Sequence, residues 1–252
     1  MKFILLLSFI LLYCCTCKQQ PIQKANVDTS EMLSQLSKIS KMEDSLLGDK
    51  LSDTFRKWFP IWDTVLANDR FYRGASIKYL DYSDEQNKLD SINEIIVTSF
   101  LDKYGYPGKY QASSMGKYAI FIVIQHAPVK TQEKYYPLFI EAYKKNTFNG
   151  WGIALLEDRI NMYRHRKQYY GTQHNIYEDG DDYLYPVVNP DSINAWRKQM
   201  IANDTIDISI EKEFKESYKK EWDIEQYKKD LPGLIKKFKV TDSTPIRFVK
   251  QP

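Results

Sequence analysis

Past residue 17 the chain has no cysteine: all three, Cys14, Cys15 and Cys17, fall near the N-terminus of 252 residues. That removes disulfides, thiolate metal ligands and a cysteine nucleophile from everything that follows, so the folded part must hold together by packing alone. Charge of one sign is also lacking, since 36 basic residues face 33 acidic ones and leave a net +3. Such a balance builds no strong field and gives no case for nucleic acid as a partner. Several catalytic signatures are missing. There is no G-x-S-x-G elbow, no H-E-x-x-H and no G-x-x-x-x-G-K-S/T loop, which argues against serine-triad, zincin and phosphate-cradle chemistry. Neither a metal nor a cofactor is expected.

Long apolar runs are scarce too. The only one near a terminus, Phe3 to Leu12, is broken by Ser8. About ten apolar residues suit a signal-peptide core and fall short of the roughly 20 that span a bilayer. Leu12-Tyr-Cys-Cys-Thr-Cys17-Lys-Gln follows and resembles a bacterial lipoprotein signal, in which a cysteine just past the apolar core is lipidated. Cys17 fits best as the modified residue, while Cys15 has the better apolar residue three positions before it, at Leu12. An ordinary secretory signal is the plainer alternative. The expectation is residues 1–17 as a signal peptide and an extracytoplasmic protein of the cell envelope, held to its membrane by lipid.

What is present reads as helix. A hydrophobic fraction of 43% against 27% charged is ordinary for a globular chain. Residues 18–50 are polar, with Met32, Leu33, Leu36 and Ile39 at helical spacing, and read as a tether or a first amphipathic helix. A helical domain is expected over 51–203 and a helical extension over 204–252. Within the domain, Trp58 to Phe71 forms a helix with Pro60 in its first turn. Ser83 and Gln86 make a capping box for the next, and Gly105 ends it. Ser113 or Ser114 caps the apolar segment that Pro128 stops after Gln125-His126-Ala127. Helices over 131–145 and 151–166 follow. Gln168 to Asn189 breaks the pattern, with a short extended edge near Tyr183-Leu-Tyr-Pro-Val-Val188. Asn189-Pro190 opens a further helix through Ile201, and Phe214, Tyr218 and Trp222 recur every four residues in a last one. Leu231-Pro-Gly233 is expected to break that helix and the final residues to fray. The fold class is mainly α, a multi-helix bundle with a polar loop region.

Several of these segments, taken in order, are similar to a known set. Asp69-Arg70, Tyr104-Gly-Tyr-Pro-Gly108, Gln125-His126-Ala127 with Gln132, Asp158-Arg159 and Gln168-x-Tyr170-Gly171-Thr172-Gln173 resemble a bacterial family, domain of unknown function 6624. Pro186, Asn194 and Arg197 look like its closing segment, and the similarity runs from about Trp58 to Met200. Tyr106 stands where the family's turn usually has tryptophan. The resemblance implies a domain and no mechanism.

The candidate chemistry lies in these segments. His126 ends an apolar helix, where a burial-tuned imidazole near an acid can serve as a general base; Asp158 is the second candidate catalytic residue. Asp69, Arg70, Gln125, Gln132, Arg159, Gln168, Tyr170, Thr172 and Gln173 are candidate ligand-binding groups for a polar small molecule or polymer end, and His126, Asp158, Arg159 and the 168–173 loop are expected to form one polar cleft. The competing reading makes His126 a satisfied core histidine, Asp158-Arg159 an ion-pair anchor and the 168–173 loop a turn that satisfies helix ends. His165 and His174 lie close to Asp158 in sequence, too weak a pattern for zinc, and Arg164-His-Arg-Lys167 reads as cations in a last helical turn.

Overall fold

A computed structural model describes residues 53–75, 83–109, 111–176, 182–201, 208–218, 220–241 and 243–248. The signal-peptide, lipidation and tether expectations lie outside the described residues, as do the side chains of 70–75 and 83–85, and with them Arg70 and the Ser83 half of the capping box. The chain divides into two compact units that part between Thr147 and Phe148.

The regular structure of the first unit's described part is all helical. A single turn, Asp53–Arg56, precedes α1 (Phe59–Ala75), α2 (Ser83–Tyr104), α3 (Ser114–His126) and α4 (Val129–Lys144). Proline suits the first turn of α1 because its missing N–H has no helical partner there. Helix α2 stops where Gly105 takes φ +70, a conformation in which a Cβ would collide with backbone. Ser113 caps α3 by accepting from the Gly116 amide at 3.1 Å. Helix α3 is the centre of the unit and packs on α1, α2 and α4. Every residue from Tyr118 to Ile124 is buried, as the all-round apolar segment predicts. Trp58 and Trp62 stack on each other and both meet Phe100 edge to face, with Trp62 and Phe100 centroids 5.0 Å apart. Pro137 lies inside α4, where buried Tyr135, Phe139 and Ile140 hold the helix together across it.

The second unit opens with α5 (Gly150–Tyr163), capped by Asn149, whose Oδ1 accepts from the Gly152 amide at 2.7 Å. Next come β1 (His174–Ile176) and β2 (Asp182–Leu184), an antiparallel pair with His174 opposite Leu184. A 3₁₀ turn, Pro190–Ser192, leads into α6 (Ile193–Met200). A short helical turn, Ile210–Glu213, then widens into a π turn over Phe214–Tyr218, and α7 (Ile224–Lys237) closes the order.

Three expectations change here. The aromatic run at 214–222 is not one helix. It ends in the π turn, and a new helix starts at the Asp223 cap, whose Oδ1 accepts from the Gln226 amide at 2.9 Å. Leu231-Pro-Gly233 does not break α7, which runs through Pro232. An interior proline costs roughly 3 kcal/mol, but Tyr227, Leu234 and Phe238 bury one face against Tyr185, Val187 and Ile193. At about 1.5–3 kcal/mol per buried apolar side chain, that face outweighs the proline. Finally, residues 243–248 are not frayed; hydrogen bonds tie them to α5. Residues 210–238, read from the sequence as an extension, supply Ile210, Tyr227, Leu234 and Phe238 to a buried cluster shared with Leu184, Tyr185, Val187 and Ile193.

Candidate functional site

The residues singled out from the sequence form two groups, one in each unit. In the first unit, α3 is apolar from Ala119 to Ile124, and Gln125 and His126 form its polar end. It meets Asp69 of α1. His126 Nδ1 lies 2.7 Å from Asp69 Oδ1, with side-chain exposures of 8% and 2%. An ionised carboxylate can only accept, so Asp69 selects the tautomer with the proton on Nδ1 and leaves the lone pair on Nε2. That is the arrangement by which a carboxylate orients an imidazole as a base, a hydrogen-bond acceptor or a ligand. Gln132 of α4 braces the same helix end. Its Nε2 donates to the carbonyls of Gln125 (3.2 Å) and Ala127 (2.8 Å), two acceptors that the end of α3 leaves without helical partners. With its amide nitrogen so committed, Gln132 Oε1 is buried without a hydrogen-bond partner.

In the second unit, Asp158 projects from α5 into the 168–173 loop. Its Oδ1 accepts from the Tyr169 amide at 2.8 Å, and Oδ2 accepts from the amides of Tyr170 (3.1 Å) and Thr172 (3.0 Å) and from Thr172 Oγ1 (3.0 Å). Burial pushes the carboxyl up to about 6, against the downward pull of these four donors. Gln168 completes a second layer. Its Nε2 donates to the carbonyls of Gln173 and Tyr185, and its Oε1 accepts from the Gln173 amide. Gln173 Nε2 in turn donates to Thr172 Oγ1 and the Leu155 carbonyl, while its Oε1 accepts from Arg159 Nε at 3.0 Å. Asp158, Gln168, Thr172 and Gln173 are thus engaged with protein groups, and Tyr170 is fully buried. Gly171 sits at φ +63, where a Cβ would lie 3.3 Å from Ile210 Cδ1. The loop is a frame whose polar side chains replace missing backbone partners.

The other histidines have separate settings. His165 takes φ +55 just past α5, and its carbonyl accepts from the Thr241 amide at 2.7 Å. His174 Nδ1 lies 3.6 Å from Asp182 Oδ1, and its ring stacks on Tyr218 with centroids 4.2 Å apart. Among the described residues, no group of three or more His, Cys, Asp or Glu side chains is placed to hold a metal ion.

Sequence reasoning named Arg197 only within the family's closing segment, and it missed what Arg197, Glu157 and Asn161 hold. Arg197 is 1% exposed and pairs with Glu213 at 2.6 Å while donating to the carbonyls of Tyr170, Gly171 and Ile208. The signal for it was an arginine four residues past Ile193 on an otherwise apolar helix face. Glu157 and Asn161 are also fully buried; their spacing of one helical turn on α5 was legible, but not the partner they hold.

Fold and site together define a mainly α protein in which a buried histidine–carboxylate pair and an aspartate-anchored polar loop occupy separate units. The chain belongs to a family of unknown function, DUF6624, which it matches over residues 83–210. No protein of curated function and no solved structure is similar to it at a significant level.

Proposed function

We propose that the chain is an extracytoplasmic, lipid-anchored protein whose helical domain binds or processes a polar ligand at His126, with Asp69 as the carboxylate that orients it. The observation behind this reading is the 2.7 Å His126–Asp69 contact at the end of an apolar helix. Burying a histidine and a carboxylate together is a costly way to fill a core when apolar residues would pack as well. Gln132, with an unsatisfied buried oxygen, adds a hydrogen-bond acceptor to that region. On the anchor, the described helices include none long and apolar enough to cross a membrane, and the Cys17 motif supports attachment by lipid.

The test is a thermal-shift panel of amino acids, short peptides, sugars and sugar phosphates on the intact chain, with hits repeated on His126→Gln and Asp69→Asn. Binding lost at a melting temperature within about 2 °C of wild type supports a site. A fall of several degrees in both variants, with binding retained, would place the pair in the scaffold.

A second reading, a non-catalytic tethered interaction module, is favoured by Asp158. Its carboxylate is saturated by four loop donors, so this reading assigns it an architectural role. Under it, Arg159 and the loop glutamines serve the frame as well.

A further inference from the structure

The most unusual packing in the second unit involves neither group above. The segment ending at Phe248 lies along α5 with Ile246 opposite Asn161 and Phe248 opposite Glu157, and side chains of α5 hold its backbone. Asn161 makes a two-point contact with one residue: Oδ1 accepts from the Ile246 amide at 2.9 Å, and Nδ2 donates to the Ile246 carbonyl at 3.0 Å. Glu157 Oε2 accepts from the Phe248 amide at 3.0 Å. The spacings agree. One helical turn separates Glu157 from Asn161, a rise of about 6 Å, and two residues of extended chain advance about 6.6 Å. A helix with polar groups four apart therefore matches a strand read at every second residue.

Between the two anchored residues the side chain of Arg247 is held by rings. Its guanidinium carbon lies 4.8 Å from the centroid of Tyr169 and 4.7 Å from that of Trp196, and Nη2 donates to Gln199 Oε1 at 3.3 Å. Two aromatic faces on one cation recognise a charged, planar group far better than a generic apolar one. Glu157, Asn161, Tyr169, Trp196 and Gln199 all lie within the family match of 83–210, whereas Ile246 to Phe248 lie outside it. The holder belongs to the family domain and the held segment does not.

We propose that this groove is a recognition site for an extended peptide carrying an arginine, and that the chain's own 243–248 segment is its built-in competitor. Asn161 and Glu157 recognise the backbone of any extended chain, and the Tyr169–Trp196 clamp selects the basic side chain. A tethered segment competes at an effective concentration of about millimolar, so a partner peptide binds only by displacing it. The inference does not depend on His126 or Asp69.

The experiment uses the full chain and a fluorescently labelled hexapeptide, Ser-Thr-Pro-Ile-Arg-Phe, with an alanine-for-arginine hexapeptide as control. Arg247→Ala loosens the resident segment without touching the groove and is expected to bind the arginine peptide at least tenfold more tightly than wild type does. Adding Asn161→Ala should abolish that gain, and the control peptide should bind neither protein. Equal binding by wild type and Arg247→Ala, no binding by either, or equal binding of both peptides would overturn the proposal. Hydrogen exchange separates this from a structural strap. In Arg247→Ala, and in Ile246→Pro, which removes the amide that Asn161 accepts, the Phe248 amide should exchange at least tenfold faster while those of Tyr170 and Thr172 stay protected. Loss of protection at Tyr170 and Thr172 in both variants makes the segment a strap and refutes the proposal.

Discussion

Asp158 offers a test whose sign is set by geometry. Its carboxyl is fully buried and pushed up to about 6 from 3.8, with burial the larger cause and the loop's donors opposing it. Between pH about 4 and 6 the native state then keeps a proton that the unfolded chain has released. Stability contributed by this group is full below about pH 4 and falls as pH rises through 6. A rise from 3.8 to about 6 corresponds to on the order of 3 kcal/mol. Asp158→Asn removes that dependence. It also places an amide nitrogen against loop donors, leaving at least one buried N–H without an acceptor at about 1–3 kcal/mol. Urea unfolding at pH 4.5 and pH 7 on both proteins measures the difference. The stability gap between wild type and Asp158→Asn should be wider at pH 4.5 and narrow by roughly 2 kcal/mol at pH 7. Parallel pH profiles, or a gap that widens toward pH 7, would refute the balance of burial against hydrogen bonding set out above.

Other consequences follow from the same frame. Arg197→Met deletes the partner of buried Glu213 and the donor to three carbonyls, so a loss of about 3–5 kcal/mol is expected in urea unfolding; adding Glu213→Gln should recover part of it. Gly171→Ala forces a Cβ into a φ of +63 and to within 3.3 Å of Ile210, and should lower stability by roughly 1–2 kcal/mol. For the anchor, metabolic labelling with palmitate should fail in Cys17→Ser and persist in Cys15→Ser; the reverse would move the modified residue to Cys15.

How much of this was legible beforehand depends on whether the signal was local. The apolar run of 120–124, a serine cap at Ser113 or Ser114 and the stop at Gly105 are local signals; the structure buries the run, caps with Ser113 and places Gly105 at φ +70. Polar residues whose partners are distant were legible as candidates only. Asp69 is 57 residues from His126, and nothing in spacing says that two helix-borne groups will meet. Gln168 holds backbone groups, and Gln173 holds a carbonyl together with Arg159 and Thr172; a sequence does not distinguish such partners from solvent or substrate. Pro232 misled because proline's penalty is local whereas the burial of Tyr227 and Leu234 that overrides it is tertiary. The 243–248 segment misled for the same reason, since nothing in it announces that Asn161, 85 residues earlier, will hold it.

The proposed site turns on one proton: Asp69 holds it on His126 Nδ1, which puts the lone pair on Nε2. Long-range ¹⁵N–¹H correlation spectroscopy of the imidazole rings, with His126 assigned by its absence in His126→Gln, reads the tautomer directly. The expected spectrum has a protonated Nδ1 and an unprotonated Nε2 in wild type, with that preference weakened in Asp69→Asn. A His126 ring protonated on Nε2 with a bare Nδ1, unchanged by Asp69→Asn, would contradict it.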